Sequence, residues 1–187
     1  MSAEPTSRPD PDAVCQEPDA VRIREARAAD LPAVLELFEL LAEHQAGWRV
    51  FPPRDGFRRG MEGRYRDVIQ DETSTLIVAE VGGTVLGMAV GQLNRPSSFS
   101  DEMALEVSSV VVRAGHRGRG IARALTAELA RFARRQGARR LTLKTFAGNR
   151  EALRAWERLG FQARMVQMTA AVDDLDPERP APHLRHT

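Results

Sequence analysis

"SSVVVRAGHRGRGIARAL", residues 108–125, decides how this chain is read. Three valines in a row, Val110 to Val112, are strand residues. Nine residues later an apolar helical face begins, with Ile121, Leu125, Leu129, Phe132 and Ala133 recurring at helical spacing. Between strand and helix stand Gly115, Gly118 and Gly120, crowded by Arg117, Arg119 and Arg123. Glycine weakens a helix and like charges at helical spacing repel, so this composition is locally costly. A helix start, however, offers unpaired N–H groups and the positive end of the macrodipole. Glycines let a ligand approach the backbone, and arginine forks suit phosphate oxygens. The stretch therefore predicts a phosphate or pyrophosphate cradle.

Three phosphate-binding patterns compete for it. A P-loop ends in Gly-Lys-Ser/Thr, and no lysine is present here. A dinucleotide fingerprint, G-x-G-x-x-G, fails at Arg123, and Arg139 and Arg140 stand where an acidic ribose partner belongs. An NADP variant tolerates such an arginine, but the antiparallel hairpin upstream argues against it. The third pattern, R-x-x-G-x-A, fits Arg117, Gly120 and Ala122.

Upstream, "TLIVAEV", Gly82-Gly83 and "TVLGMAVGQL" read as a hairpin, and "ALEVSSVVV" as the next strand. Further back, "VRIREA" (Val21 to Ala26) alternates like a strand. Asp30 is read as the cap of a helix with Leu31, Val34, Phe38 and Leu41 on one face and Pro32 in its first turn. The stretch from Gly47 to Arg66 reads as irregular and arginine-rich, with a short helix near Met61 to Ile69. Downstream, the helix from Ile121 to Gln136 closes at Gly137, and "RLTLKTF" (Arg140 to Phe146) is a strand. Asn149 caps a last helix with Ala152, Trp156 and Leu159 inward and Gly160 as its stop. "FQARMVQMTAAV" reads as a final strand. The centre is antiparallel, but the crossover helix between residues 112 and 140 makes those two strands parallel.

The chain has 187 residues, 42% of them hydrophobic, enough for one domain with a proper core. No apolar run approaches the roughly 20 residues that span a bilayer, so a cytoplasmic protein without a membrane partner is expected. Cys15 is the only cysteine, which excludes a disulfide framework, and the four histidines show no metal spacing. A net charge of +1 gives no footprint for nucleic acid. Arg134, Arg135, Arg139 and Arg140 read as a solvated helix end. Residues 1–20 and 173–187, both rich in Pro and acidic residues, read as a disordered leader and a flexible tail around a domain at 21–172.

Two motifs resemble the GNAT superfamily of N-acetyltransferases. "SSVVVRAGHRGRGIARAL" is similar to its central strand, pyrophosphate loop and helix, and "NREALRAWERLGF" to its second signature. The resemblance covers about Val21 to Val172. It implies an α+β, GNAT-like acyl-CoA N-acyltransferase fold: a mixed, mostly antiparallel sheet with splayed central parallel strands, flanked by helices. It implies acetyl-CoA as co-substrate and no metal. The backbone of Val110, Val111 and Val112 would pair with the pantetheine arm. The amides of Arg117, Gly118, Arg119, Gly120, Ile121 and Ala122 would hold the pyrophosphate, with Arg123 at its edge. Asn149 matches a position that contacts the pantetheine or the thioester end. Glu106 matches the family's acidic position and is the candidate general base; an exposed salt bridge is the competing reading. Trp156 stands where many members carry a tyrosine that protonates the leaving thiolate, and indole is no useful acid. Tyr65, the only tyrosine, is a further candidate.

The implied reaction is direct attack of a primary amine on acetyl-CoA in a ternary complex, the acceptor being a small molecule ahead of a protein. The alternative is a non-catalytic acyl-CoA sensor. Homodimers are common in the family, and the sequence leaves that open.

Overall fold

The computed structural model describes residues 20–48, 57–94 and 102–170. The leader and the tail lie outside these residues. The chain divides at Arg150/Glu151 into two compact units.

The first unit is a five-stranded sheet in the order β1-β2-β3-β4-β5. Strand β1 (Arg22–Glu25), β2 (Ser74–Val81), β3 (Thr84–Asn94) and β4 (Ala104–Val112) pair antiparallel in succession, and β5 (Arg140–Leu143) joins β4 in parallel. The β2–β3 turn is the expected Gly82-Gly83, both at positive φ. Alternation buries the two faces of β2 and β3 under different helices.

On one face lie α1 (Leu31–Gln45) and α2 (Phe57–Gln70). Leu31, Val34, Leu35 and Leu37 of α1 and Tyr65 of α2 form one core cluster with Met88, Val90 and Val111 of the sheet. Helix α3 (Ile121–Arg135) packs on the other face. Its approach depends on missing side chains: a Cβ at Gly91 would stand 3.1 Å from Leu129, and one at Gly87 3.4 Å from Ile121.

Several expectations are corrected. Helix α2 is a regular fourteen-residue helix where mostly irregular chain was expected, although residues 49–56 of that stretch are outside the described set. Asp30 precedes α1 but does not cap it with its side chain. Arg24 captures the carboxylate instead, donating to it at 2.7 and 2.9 Å, and the Arg27 N–H adds a bond at 2.7 Å. Arg24 Nε also donates to Glu80 at 2.8 Å, so one guanidinium joins β1, β2 and the turn before α1. Strand β5 stops at Leu143, three residues before the expected end.

The second unit holds most of α4 (Arg150–Arg158) and residues 159–170. Gly160, at φ +95°, ends the helix. Trp156 packs edge-to-face on Phe161 with centroids 5.2 Å apart, which fixes the turn of the Leu-Gly-Phe end. The final strand is absent from residues 161–170, where Met165 and Met168 are exposed rather than packed. Strand propensity is a preference for a pleated, half-buried surface, and these residues pair with no strand.

Candidate active site

The site begins where β5 leaves β4. Parallel pairing runs from Ala104↔Arg140 to Val107↔Leu143 and stops, while β4 continues against β3 as far as Gly87↔Val112. Ser108 to Val112 therefore have a strand on one side only. Strand residues turn their N–H and C=O alternately to the two neighbours. Arg113 N–H donates to Leu86 O at 2.9 Å, and Val111 O lies against Gly87, so residues 111 and 113 serve β3. Val110 and Val112 then present their backbone groups to the opened side. Arg117 Nε takes the Val112 carbonyl at 3.2 Å, which leaves the Val112 N–H directed into the gap.

A β-bulge reshapes β4 at this point. Val107 pairs with Gly91 and Ser109 with Val90, so Ser108 is the extra residue. A one-residue slip exchanges the faces of a strand. Val107 shares the α3 face with Gly91, whereas Ser109 shares the α1/α2 face with Val90, and Val111 follows it into that core. The bulge thus puts Ser109 on the α1/α2 face. Glu106, opposite Gln92, lies on the same α1/α2 face.

Beyond Val112 the chain makes a short 3-10 turn, Ala114–His116, and enters the glycine–arginine run. Gly118 and Gly120 have φ of +77° and +81°, the left-handed region that disfavours other residues. Alternation of such residues with ordinary ones turns successive N–H groups toward one concavity. The first intrahelical bond of α3 is from Ala124 N–H to Gly120 O at 3.0 Å, so the amides of Ile121, Ala122 and Arg123 have no helical partner. A Cβ at Gly115, Gly118 or Gly120 would meet nothing within 4 Å, so the concavity is open. Arg117, Arg119 and Arg123 surround it. Amides, dipole and charge together fit a pyrophosphate, and the half-paired β4 edge that leads to it fits an extended amide-bearing arm.

Position is secured from behind. Arg113 donates to Glu36 of α1 at 2.8 Å and to Val85 O at 3.2 Å, tying the end of β4 to the helical layer. Arg113 was not singled out from sequence, because nothing local distinguishes a tether from a solvated arginine. His116 is half-buried, and no described residue bonds its Nδ1. Asn149 is buried just before α4, its N–H bonded to Phe146 O at 2.9 Å.

Glu106 accepts a hydrogen bond from Asn94 Nδ2 at 3.1 Å and an ion pair from Lys144 Nζ at 3.3 Å. The Asn94 bond first, then Lys144, hold its carboxyl below the ordinary glutamate range against a partial desolvation. Neither partner was singled out from sequence. The register Glu106↔Thr142 puts Lys144 on the same face two residues on, and a register is not visible in a sequence. Tyr65 is a core residue, 2% exposed, with its ring edge-to-face on Phe38 at 5.8 Å. Burial raises its phenol pKa, and no described residue bonds its hydroxyl. Of the arginine cluster, Arg135 pairs with Glu25 and Glu128 and lies over the Phe132 ring, and Arg140 pairs with Glu102 at 2.6 Å. Among the described residues, no acidic, histidine or cysteine group could hold a metal, and no helix is long and apolar enough to cross a membrane.

The parallel β4–β5 pairing that stops at Val107↔Leu143 and the unpaired amides at the start of α3 match the arrangement that the sequence resemblance implied. The family model described as "Acetyltransferase (GNAT) family" matches residues 37–161, and the chain belongs to that family. Streptothricin acetyltransferase of Streptomyces lavendulae is 32% identical over 113 residues, 60% of this chain and 56% of its own length. An L-methionine sulfoximine/L-methionine sulfone acetyltransferase of Pseudomonas paraeruginosa is 29% identical over 174 residues, 86% of this chain and 98% of that protein. The chain spans about half the length of several curated relatives it matches. Among solved structures, an aminoglycoside N-acetyltransferase in complex with CoA superposes with a TM-score of 0.67 at 18% identity, over 82% of this chain and 95% of that one, a likeness of fold.

Proposed function

We propose that the protein is an N-acetyltransferase that moves the acetyl group of acetyl-CoA to a primary amine by direct attack in a ternary complex. The observation that carries this reading is the continuous ligand track: an unpaired β4 edge from Ser108 to Val112 that runs onto the amide cradle of α3. The pyrophosphate rests on the amides from Arg117 to Ala122 with Arg123 at the rim. The arm pairs with Val110 and Val112, and Asn149 meets its far end. The domain runs from about residue 21 to 172.

In that arrangement a backbone N–H of the opened β4 edge, at the end of the arm away from the cradle, polarises the thioester carbonyl as negative charge develops on its oxygen. The acceptor amine must lose a proton before it can attack, since an alkylammonium has a pKa of about 10.4. Glu106 is the base, on the face shared with Ser109 and Val111. Its carboxyl is already ionised at neutral pH, and its low pKa suits it to orient a water that relays the proton more than to hold the proton itself. The departing thiolate, pKa about 8.5, needs little help, so a tryptophan in place of the family tyrosine is tolerated. The names of the relatives support a small-molecule amine as acceptor. The test is CoA-thiol release from acetyl-CoA across a panel of small amines. Binding of acetyl-CoA without amine-dependent release would favour a sensor instead.

A further inference from the structure

Lys144 is the only lysine in the chain; every other strongly basic side chain is arginine. It is the first residue beyond β5, at the point where β5 parts from β4. Its side chain is 81% exposed, yet its Nζ lies 3.3 Å from Glu106. An alkylammonium thus already stands beside the carboxylate proposed to deprotonate the acceptor amine through a water. Arginine has no such capacity, because its guanidinium stays protonated. The groups that face Glu106 are Asn94 and Lys144, with the register partners Gln92 and Thr142 on either side.

We propose that Lys144 is an internal acetyl acceptor, modified by the protein's own acetyl transfer. This rests on the proposed function. The Lys144 ammonium releases one proton to solvent, and its Nζ forms a bond to the acetyl carbonyl carbon. The C–S bond breaks, and the second proton leaves the nitrogen with the thiolate as CoA-SH. The product is an uncharged N-acetyl-lysine. It cannot pair with Glu106, so Glu106 is left with Asn94 and the seat beside it is free of competing charge. Modification of Lys144 then sets how readily an external amine is admitted.

The test incubates the full chain with acetyl-CoA and maps peptides by mass spectrometry, with acetyl-CoA binding followed in parallel by calorimetry. Trypsin does not cut after acetyl-lysine, so a missed cleavage at Lys144 reports the modification and separates it from any acetyl on the N-terminus or Cys15. The proposal expects acetyl on Lys144, formed at a rate independent of protein concentration, suppressed by excess desulfo-CoA and absent from Lys144→Arg. Acetyl-CoA binding with an unmodified Lys144 overturns it and leaves the functional reading intact. So does modification that desulfo-CoA fails to suppress, which is solution chemistry, or a rate proportional to protein concentration, which is transfer between copies. No acetyl-CoA binding at all removes both readings.

Discussion

Gly87 sits in β3 directly beneath the first turns of α3, and alanine there tests how the cradle is positioned. The added Cβ would stand 2.9 Å from the Val111 carbonyl oxygen, 3.3 Å from Leu125 Cδ1 and 3.4 Å from Ile121 Cγ2. The oxygen belongs to the neighbouring strand and cannot rotate away. Either the β3–β4 pair opens or α3 lifts from the sheet. Overpacking of this kind costs about 1–3 kcal/mol. For a chain of this size each kcal/mol moves Tm by about 2–4 °C, so Gly87→Ala should melt about 2–12 °C lower. Ile121 carries one of the cradle amides and Leu125 lies in the next turn of the same helix, so acetyl-CoA should bind more weakly as well. Gly63→Ala is the matched control. Gly63 lies on the exposed side of α2, and its added Cβ meets nothing within 4 Å. Helix propensity there favours alanine by about 1 kcal/mol, so Tm should rise. The assay is thermal unfolding by circular dichroism with calorimetric titration of acetyl-CoA. A Gly87→Ala protein with native Tm and native affinity would refute the claim that α3 is seated on Gly87.

Glu106→Gln should lower kcat by about 100-fold or more if the carboxylate works as the base. The native rate should show no inflection from Glu106 near neutral pH, because its pKa is lowered; an inflection there that vanishes in Glu106→Gln contradicts this geometry. Tyr65→Phe should keep native turnover and equal or better stability, since it removes a buried hydroxyl with no described partner; loss of kcat would make that phenol a participant. Asp30 has a lowered pKa, so its contribution is complete above its unfolded value of about 3.9 and is lost as pH falls through the folded one. Asp30→Asn should therefore cost about 1–3 kcal/mol at neutral pH and flatten the acid limb of stability, measured by urea unfolding across pH. An unchanged acid limb would discount the Arg24–Asp30 link.

The legible parts of this protein are those set by local chemistry. The hairpin at Gly82-Gly83, the apolar face of α3, its stop at Gly137 and the glycine-bearing turn before α3 were readable because turn and period are written in adjacent residues. What escaped depends on partners far away in sequence. Asp30 has the look of a helix cap, but Arg24, fixed beside it by β1–β2 pairing, takes its carboxylate. The α2 segment opens with Phe-Arg-Arg-Gly and holds a second glycine at Gly63, so propensity understates a helix that Tyr65 anchors in the core. Residues 161–170 have strand composition but form no strand. Glu106 was singled out by resemblance, whereas its partners Asn94 and Lys144, which lower its pKa, follow only from the registers of β3 and β5. The bulge at Ser108, which decides which side chains face the helices, leaves no mark in the sequence.

The amides between Arg117 and Ala122 are proposed to hold the pyrophosphate of acetyl-CoA. The most direct test is calorimetric titration of acetyl-CoA into the native protein and into Gly120→Glu. At Gly120 a side chain would enter open space in the cradle and bring a negative charge, while φ of +81° adds a strain of about 1–2 kcal/mol that a parallel melt would register. The native protein should bind with micromolar affinity and a still-folded variant should not bind. A native protein that does not bind, or a variant that binds equally well, would contradict this assignment.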